Sequence, residues 1–246
     1  MKHLVTKLAL PTIVAVAATI SINANAAPIV ADFGRITSNN VENVASQLHA
    51  NIYSYSDANA TYGSSIAPAS LAANQILVTF TNNVGTASSI SEVYIDDDLP
   101  IFASPTPVPT VYNSLGGGTN NFTNFAANGS TDPNNVPGGA STDPAFIATT
   151  SLSADVASGP PTNGVNTAQD ILGIVYTLVD GKTFADVAQA FANGDFRFAL
   201  HVRSIGVAGG SDSFVSTNNP VPEPSSLALL ALGLAGVGFS RRMARK

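Results

Sequence analysis

The sequence predicts a mainly β protein: an antiparallel β-sandwich of the jelly-roll sort with one short helix, flanked by an N-terminal signal helix and a C-terminal transmembrane-like helix. Three observations carry this reading. Short runs with period-two alternation recur between turn residues. Only one stretch has a convincing helical period together with a cap and a stop. The charged fraction is 11%, with abundant Asn, Ser, Thr and Gly and no cysteine.

Taking the elements in order, Lys2, His3 and Lys7 precede an apolar run from Leu8 to Ile22, and Ala24-Asn25-Ala26 stands ahead of Ala27. This charged, apolar, small-residue order is that of a secretory signal peptide cleaved between Ala26 and Ala27. The run is shorter than the ~20 residues of a membrane span. Residues 1–26 are therefore set apart from a body of residues 27–217, and a third segment of different composition occupies 218–246.

Within the body, Asn51 to Tyr55 reads as a short strand, and Gln75 to Thr81 as the first long one. Asn82-Asn83-Val84-Gly85 punctuates it. Ser88 to Ile95 follows, and the two long runs suggest a hairpin with a loose connection. Residues 103–142 differ in kind: Pro, Gly, Asn, Ser and Thr make up 28 of 40 positions, which reads as a flexible excursion. Regular structure is expected again over Ala145 to Leu152 and over Asp170 to Val179, with Asp180-Gly181 as a turn. In the helix, Thr183 can cap, Asp186 sits three positions on, Phe184, Val187, Ala188 and Phe191 share one face, and Asn193-Gly194 ends it. The clearest strand comes next. Phe196, Phe198, Leu200 and Val202 alternate with Arg197, Ala199, His201 and Arg203, giving one buried face and one basic, wet face.

The residues exclude more chemistry than they suggest. Between residues 27 and 217 four basic residues face fifteen acidic ones, a formal charge of −11, so a phosphate backbone is not a partner. The absence of cysteine removes a thiol nucleophile, a disulfide framework and cysteine-ligated zinc. No Gly-x-Ser-x-Gly elbow occurs, and Gly116-Gly117-Gly118 lacks the Lys and hydroxyl residue of a phosphate loop. The chain reads as non-enzymatic and without a resident cofactor. Asp96, Asp97 and Asp98 at a strand end are the one candidate metal site, with calcium as the ion; the competing reading is an acidic cap that blocks edge pairing. His201, between Arg197 and Arg203, reads as part of a solvated basic stripe. Gly209-Gly210-Ser211-Asp212-Ser213 reads as a hairpin connection.

The tail is a three-part device. In Val221-Pro222-Glu223-Pro224 the prolines fix φ and hold the residues before them extended. Leu227 to Phe239 is uncharged and, as a helix, about 20 Å long, short of a ~30 Å hydrocarbon core. Arg241, Arg242, Arg245 and Lys246 form a basic stop that holds its end on the cytoplasmic side. This tail resembles the PEP-CTERM sorting domain of Gram-negative bacteria, through Pro222-Glu223-Pro224, the apolar segment and Arg241-Arg242. The body is similar to other PEP-CTERM ectodomains through Val93-Tyr94-Ile95-Asp96-Asp97, through Leu200-His201-Val202-Arg203-Ser204-Ile205 and through Gly209 to Phe214, a likeness that imports no activity. The resemblance implies residues 218–246 as a sorting and anchor segment. It further implies export by signal peptidase and the secretion machinery and transient inner-membrane anchoring. Recognition would then fall to exosortase, a membrane-embedded transpeptidase-like enzyme, with transfer to the cell surface or extracellular matrix in association with exopolysaccharide. A carbohydrate-binding module and a secreted hydrolase are the alternative functions; the first is weakened by the absence of tryptophan as a stacking platform.

Overall fold

The computed structural model describes residues 27–217, except 67–69, 114, 125–134 and 157–160. The expected signal peptide, its cleavage position at Ala26, the sorting motif and the basic stop lie outside the described residues, as does part of the 103–142 segment. Among the described residues no helix is long and apolar enough to cross a membrane.

Ten strands form one antiparallel sheet: β1 Ile29–Arg35, β2 Leu48–Ser54, β3 Gln75–Asn82, β4 Ser89–Asp97, β5 Thr110–Tyr112, β6 Phe122–Asn124, β7 Ala154–Val156, β8 Ile171–Thr177, β9 Phe196–Ile205 and β10 Gly210–Thr217. Their order across the sheet is β5-β8-β3-β2-β1-β10-β9-β4-β7-β6. The expected sandwich of two facing sheets is corrected to a single sheet that curls until its edges meet, a nearly closed barrel. Among the described residues a side chain bridges the two edges. Asn113, just after β5, donates its Nδ2 to the Phe122 carbonyl (2.9 Å) and accepts the Phe122 N–H on Oδ1 (2.7 Å), so its amide replaces a strand residue.

Period-two alternation decides which side chains enter the barrel. Ile29, Ala31 and Phe33 of β1, Leu48, Ala50 and Ile52 of β2, and Ile76, Val78 and Phe80 of β3 point inward and are at most 5% exposed. They meet Leu172, Ile174 and Tyr176 of β8 and Phe196, Phe198, Leu200 and Val202 of β9. Helix α2 (Phe184–Asn193) packs Phe191 onto Phe196 and Phe198, with ring centroids 5.4 and 6.0 Å apart. Its N-terminus carries the full capping box, Thr183 and Asp186, and it stops at Gly194, whose φ of 82° favours glycine. Two smaller apolar clusters lie on the outside. One, around Leu77, Leu115 and Val175, sits under α1 (Tyr55–Tyr62). The other joins Tyr94, Ala199 and Val215 to Val136 and Phe146 of the 135–148 loop.

The structure revises several expectations. β3 and β4 do not form a hairpin: β3 pairs with β2 and β8, β4 with β9 and β7. Alternation along each run fixes which face is buried and carries no information on which strand lies at either flank. Residues 145–149 carry no regular structure and 150–152 form a 3-10 turn. The 103–142 segment is not a mere excursion, since it supplies both edge strands, β5 and β6.

Candidate functional site

The densest chemistry lies on the outer face of β4, β7 and β9. The registers align Asp155 of β7, Glu92 of β4 and His201 of β9 in one cross-strand row, with Ser213 of β10 beyond. Glu92 is 4% exposed, yet charged groups surround it. His201 Nδ1 lies 3.0 Å from Oε2, Arg203 pairs with Oε1, and the Tyr94 hydroxyl donates to Oε2. Burial acts to raise the Glu92 carboxyl, but the His201 and Tyr94 hydrogen bonds and the His201 and Arg203 charges outweigh it and hold the group below the usual range. Tyr94 responds in the opposite sense: burial, then the Glu92 charge, push its hydroxyl far up. Burial and Glu92 also push Asp155 up to about 6.

The expected wet basic stripe on β9 is therefore an ion-pair ladder. His201 is 14% and Arg197 7% exposed at the side chain. The sequence shows the cations, but the acids that meet them come from β4, more than a hundred residues earlier. Ser213, beyond His201 in the row, has an Oγ with no hydrogen-bond partner but is 1% exposed, so no substrate can reach it as a nucleophile.

The three aspartates of the calcium expectation are separated by the same alternation. Asp96 faces outward onto Arg197 and accepts the Ile147 N–H at 3.2 Å. Burial raises its carboxyl, with Ile147 and Arg197 opposing. Asp97 accepts the N–H groups of Ile101 and Phe102 at 3.0 and 3.1 Å, pinning the turn after β4; burial pushes it up to about 6. Asp98 is exposed. Among the described residues no three His, Asp or Glu side chains are placed to hold a metal ion. β7 pairs only with Glu92 and Val93, so at Asp96 and Asp97 β4 has β9 alone as a paired strand.

Arg197 fastens the 144–146 segment to the barrel. Its Nη1 donates to the Pro144 carbonyl at 2.9 Å, its Nη2 to the Ala145 carbonyl at 2.7 Å, and its guanidinium lies 5.4 Å from the Phe146 ring centroid. Beside it runs an open groove of about 290 Å³. Gly34, Val215 and Thr217 lie along β1 and β10 on one side, Thr142 to Pro144 on the other, with Arg35 and Arg197 in its lining. The hairpin between β9 and β10 is turned by residues 206–209, so of the expected Gly209–Ser213 connection only Gly209 lies in the turn; the rest opens β10, where Asp212 has a role of its own. Its side chain is fully buried and accepts from Thr37 Oγ1, the N–H groups of Asn39 and Asn40 and Asn40 Nδ2, with Arg35 at 3.6 Å. Burial opposes ionisation there, and these donors still hold the carboxyl below the usual range. No sequence signal reveals this role, because the donors lie more than 170 residues away.

The β10 strand ends at Thr217, and a family match begins three residues later. Residues 220–242 match the model of the PEP-CTERM protein-sorting motif. Among curated proteins and among solved structures nothing matches the chain. The chain thus carries, next to an antiparallel, nearly closed β domain, the PEP-CTERM sorting motif of proteins that exosortase sorts to the surface.

Proposed function

We propose that the protein is a non-enzymatic surface or matrix component, released by exosortase from a transient inner-membrane anchor and deployed in association with exopolysaccharide. The observation that carries this reading is the sorting motif at 220–242, set directly after the last strand of a folded domain. The domain supports a scaffold role: its histidines are engaged by Asp32 and Glu92, and its one serine in register with a histidine is sealed.

The test follows a chain tagged at both ends by fractionation in an exosortase-positive host and in a deletion host. Glu223→Gln is expected to leave export intact while uncleaved protein accumulates in the inner membrane. Replacing Arg241, Arg242, Arg245 and Lys246 is expected to weaken retention before cleavage. A C-terminal tag kept in both hosts would show an ordinary tail anchor and refute the reading.

A carbohydrate-binding module is favoured by one further observation. Tyr53, Tyr62 and Tyr112 pack around the cluster under α1 without being buried, and Tyr55 at the start of α1 is 42% exposed. Their rings suit sugar stacking, and a glycan array with Tyr55→Ala as the comparison decides it.

A further inference from the structure

We propose that the outer face of β1 and β2, together with the groove beside β10, forms one track for an extended, uncharged, hydroxyl-rich chain, a neutral polysaccharide. This rests on the association with exopolysaccharide proposed above and gives it a place and a class of ligand.

The outer face of the sheet is covered on both sides and bare between. Over β3 and β8, Leu77 and Val175 lie under α1, with Ala58, Ile66 and Leu115 packed on them. Over β10, β9 and β4, Val215, Ala199 and Tyr94 lie under Val136 and Phe146 of the 135–148 loop. Between these covers, alternation turns His49, Asn51 and Tyr53 of β2 and Val30 and Asp32 of β1 outward. Val30 is 44% exposed and the Asp32 side chain 54%. The registers set them in rows: Tyr53, then Asn51 opposite Val30, then His49 opposite Asp32 with Thr217 beyond. Two residues further along β1 stands Gly34, opposite Val215 and already in the groove. From Tyr53 to Gly34 the track covers four rows, about 20 Å.

Charge decides against an anionic chain. Each cation on the track has its acid: His49 lies 3.1 Å from Asp32, Arg35 is paired with Asp212 and Arg197 with Asp96, while Asp143 adds one more carboxylate to the lining. What the track offers instead is donors and acceptors side by side. The Asn51 amide supplies both. His49 turns Nδ1 to Asp32, so Nε2 is the nitrogen left for a ligand. A hydroxyl both donates and accepts, so a polyol answers a mixed surface of this kind, whereas a carboxylate answers only its donors. The Tyr53 ring, set edge-on to Tyr62 with centroids 5.5 Å apart, and the Val30 side chain give apolar surface for the C–H face of a sugar.

The test is affinity electrophoresis of the uncleaved full-length protein from an exosortase-deletion host, in native gels containing dextran, galactomannan or mixed-linkage β-glucan, with alginate as the anionic comparison. Retardation is expected in at least one neutral gel and not in alginate. His49→Ala/Asn51→Ala removes two hydrogen-bonding groups from the track and is expected to raise the Kd about tenfold. Gly34→Val is expected to weaken binding by narrowing the groove; a Cβ there would meet only Thr217 Cγ2 at 3.6 Å and the Val215 carbonyl at 3.9 Å, ordinary contacts. Thermal melts check that both variants fold. No retardation by any neutral glycan, or retardation by alginate alone, overturns the proposal. Retardation unchanged in both variants, or lost on Tyr55→Ala instead, also overturns it and leaves association with polysaccharide standing. That reading fails separately if the wild-type chain does not co-sediment with the extracellular polysaccharide of an exosortase-positive host.

Discussion

Replacing Asp155 by Asn is expected to stabilise the domain at neutral pH and not at acidic pH. Asp155 is the Cα partner of Glu92, and burial together with that neighbouring charge moves its carboxyl from an ordinary 3.8 to about 6. The folded state binds the proton more tightly than the unfolded one. The favourable contribution is therefore whole below about pH 4 and is lost as pH rises through about 6. The full difference corresponds to about 3 kcal/mol at ~1.4 kcal/mol per tenfold change. Asp155 is partly exposed, and solvent screening leaves about half of that. Asn keeps the shape and the acceptor oxygen without the charge. It should add about 1.5 kcal/mol at pH 7.5, raising the melting temperature by about 3 to 6 °C, with no gain at pH 4. Circular dichroism melts of both chains at the two pH values measure this. Asp97, also raised to about 6, titrates identically in both proteins and cancels in the difference. An equal gain at both pH values, or none at pH 7.5, refutes the account of Asp155 as raised by burial and by the Glu92 charge.

Other expectations follow from the same contacts. Phe198 touches the rings of Phe80, Phe191 and Phe196, so Phe198→Ala should cost about 3 to 5 kcal/mol in chemical denaturation. Asp212→Ala strips the acceptor from the 37–40 loop and leaves its N–H groups unpaired; a loss of about 2 to 4 kcal/mol is expected, with amide exchange rising first at Asn39 and Asn40. Calcium at millimolar concentration should leave the melting temperature unchanged, because Asp96 and Asp97 are turned to opposite faces and already engaged; a shift abolished by Asp96→Asn/Asp98→Asn would restore the metal reading.

What could be read from the sequence was local. The strands over 75–82, 89–97, 171–177 and 196–205 show in period-two alternation, and α2 shows because Thr183, Asp186, its apolar face and Gly194 all agree. Helix α1 went unread because Tyr55–Tyr62 has no apolar stripe, although Ser54 and Asp57 form a cap that could have marked it. Strands β5 and β6 have three residues each and exist through their neighbours, so their own composition says only loop. β1 was hidden close behind the apolar run of residues 8–22, and β10 by its Ser and Thr content. Pairing is the larger gap. A periodic strand shows which face is buried and not which strand lies beside it. For that reason the cations of β9 were visible while their partners Glu92 and Asp96 were not.

The amide of Asn113 has a consequence for a sheet that leaves two edge strands. A sheet with two bare flanks offers two templates on which another copy could add a strand, and crowding makes that encounter frequent. One side chain occupies the donor and acceptor at the start of β6 while tying it to the end of β5. Loss of the Asn113 amide would free the Phe122 N–H and carbonyl and open this part of the seam to a strand from another copy.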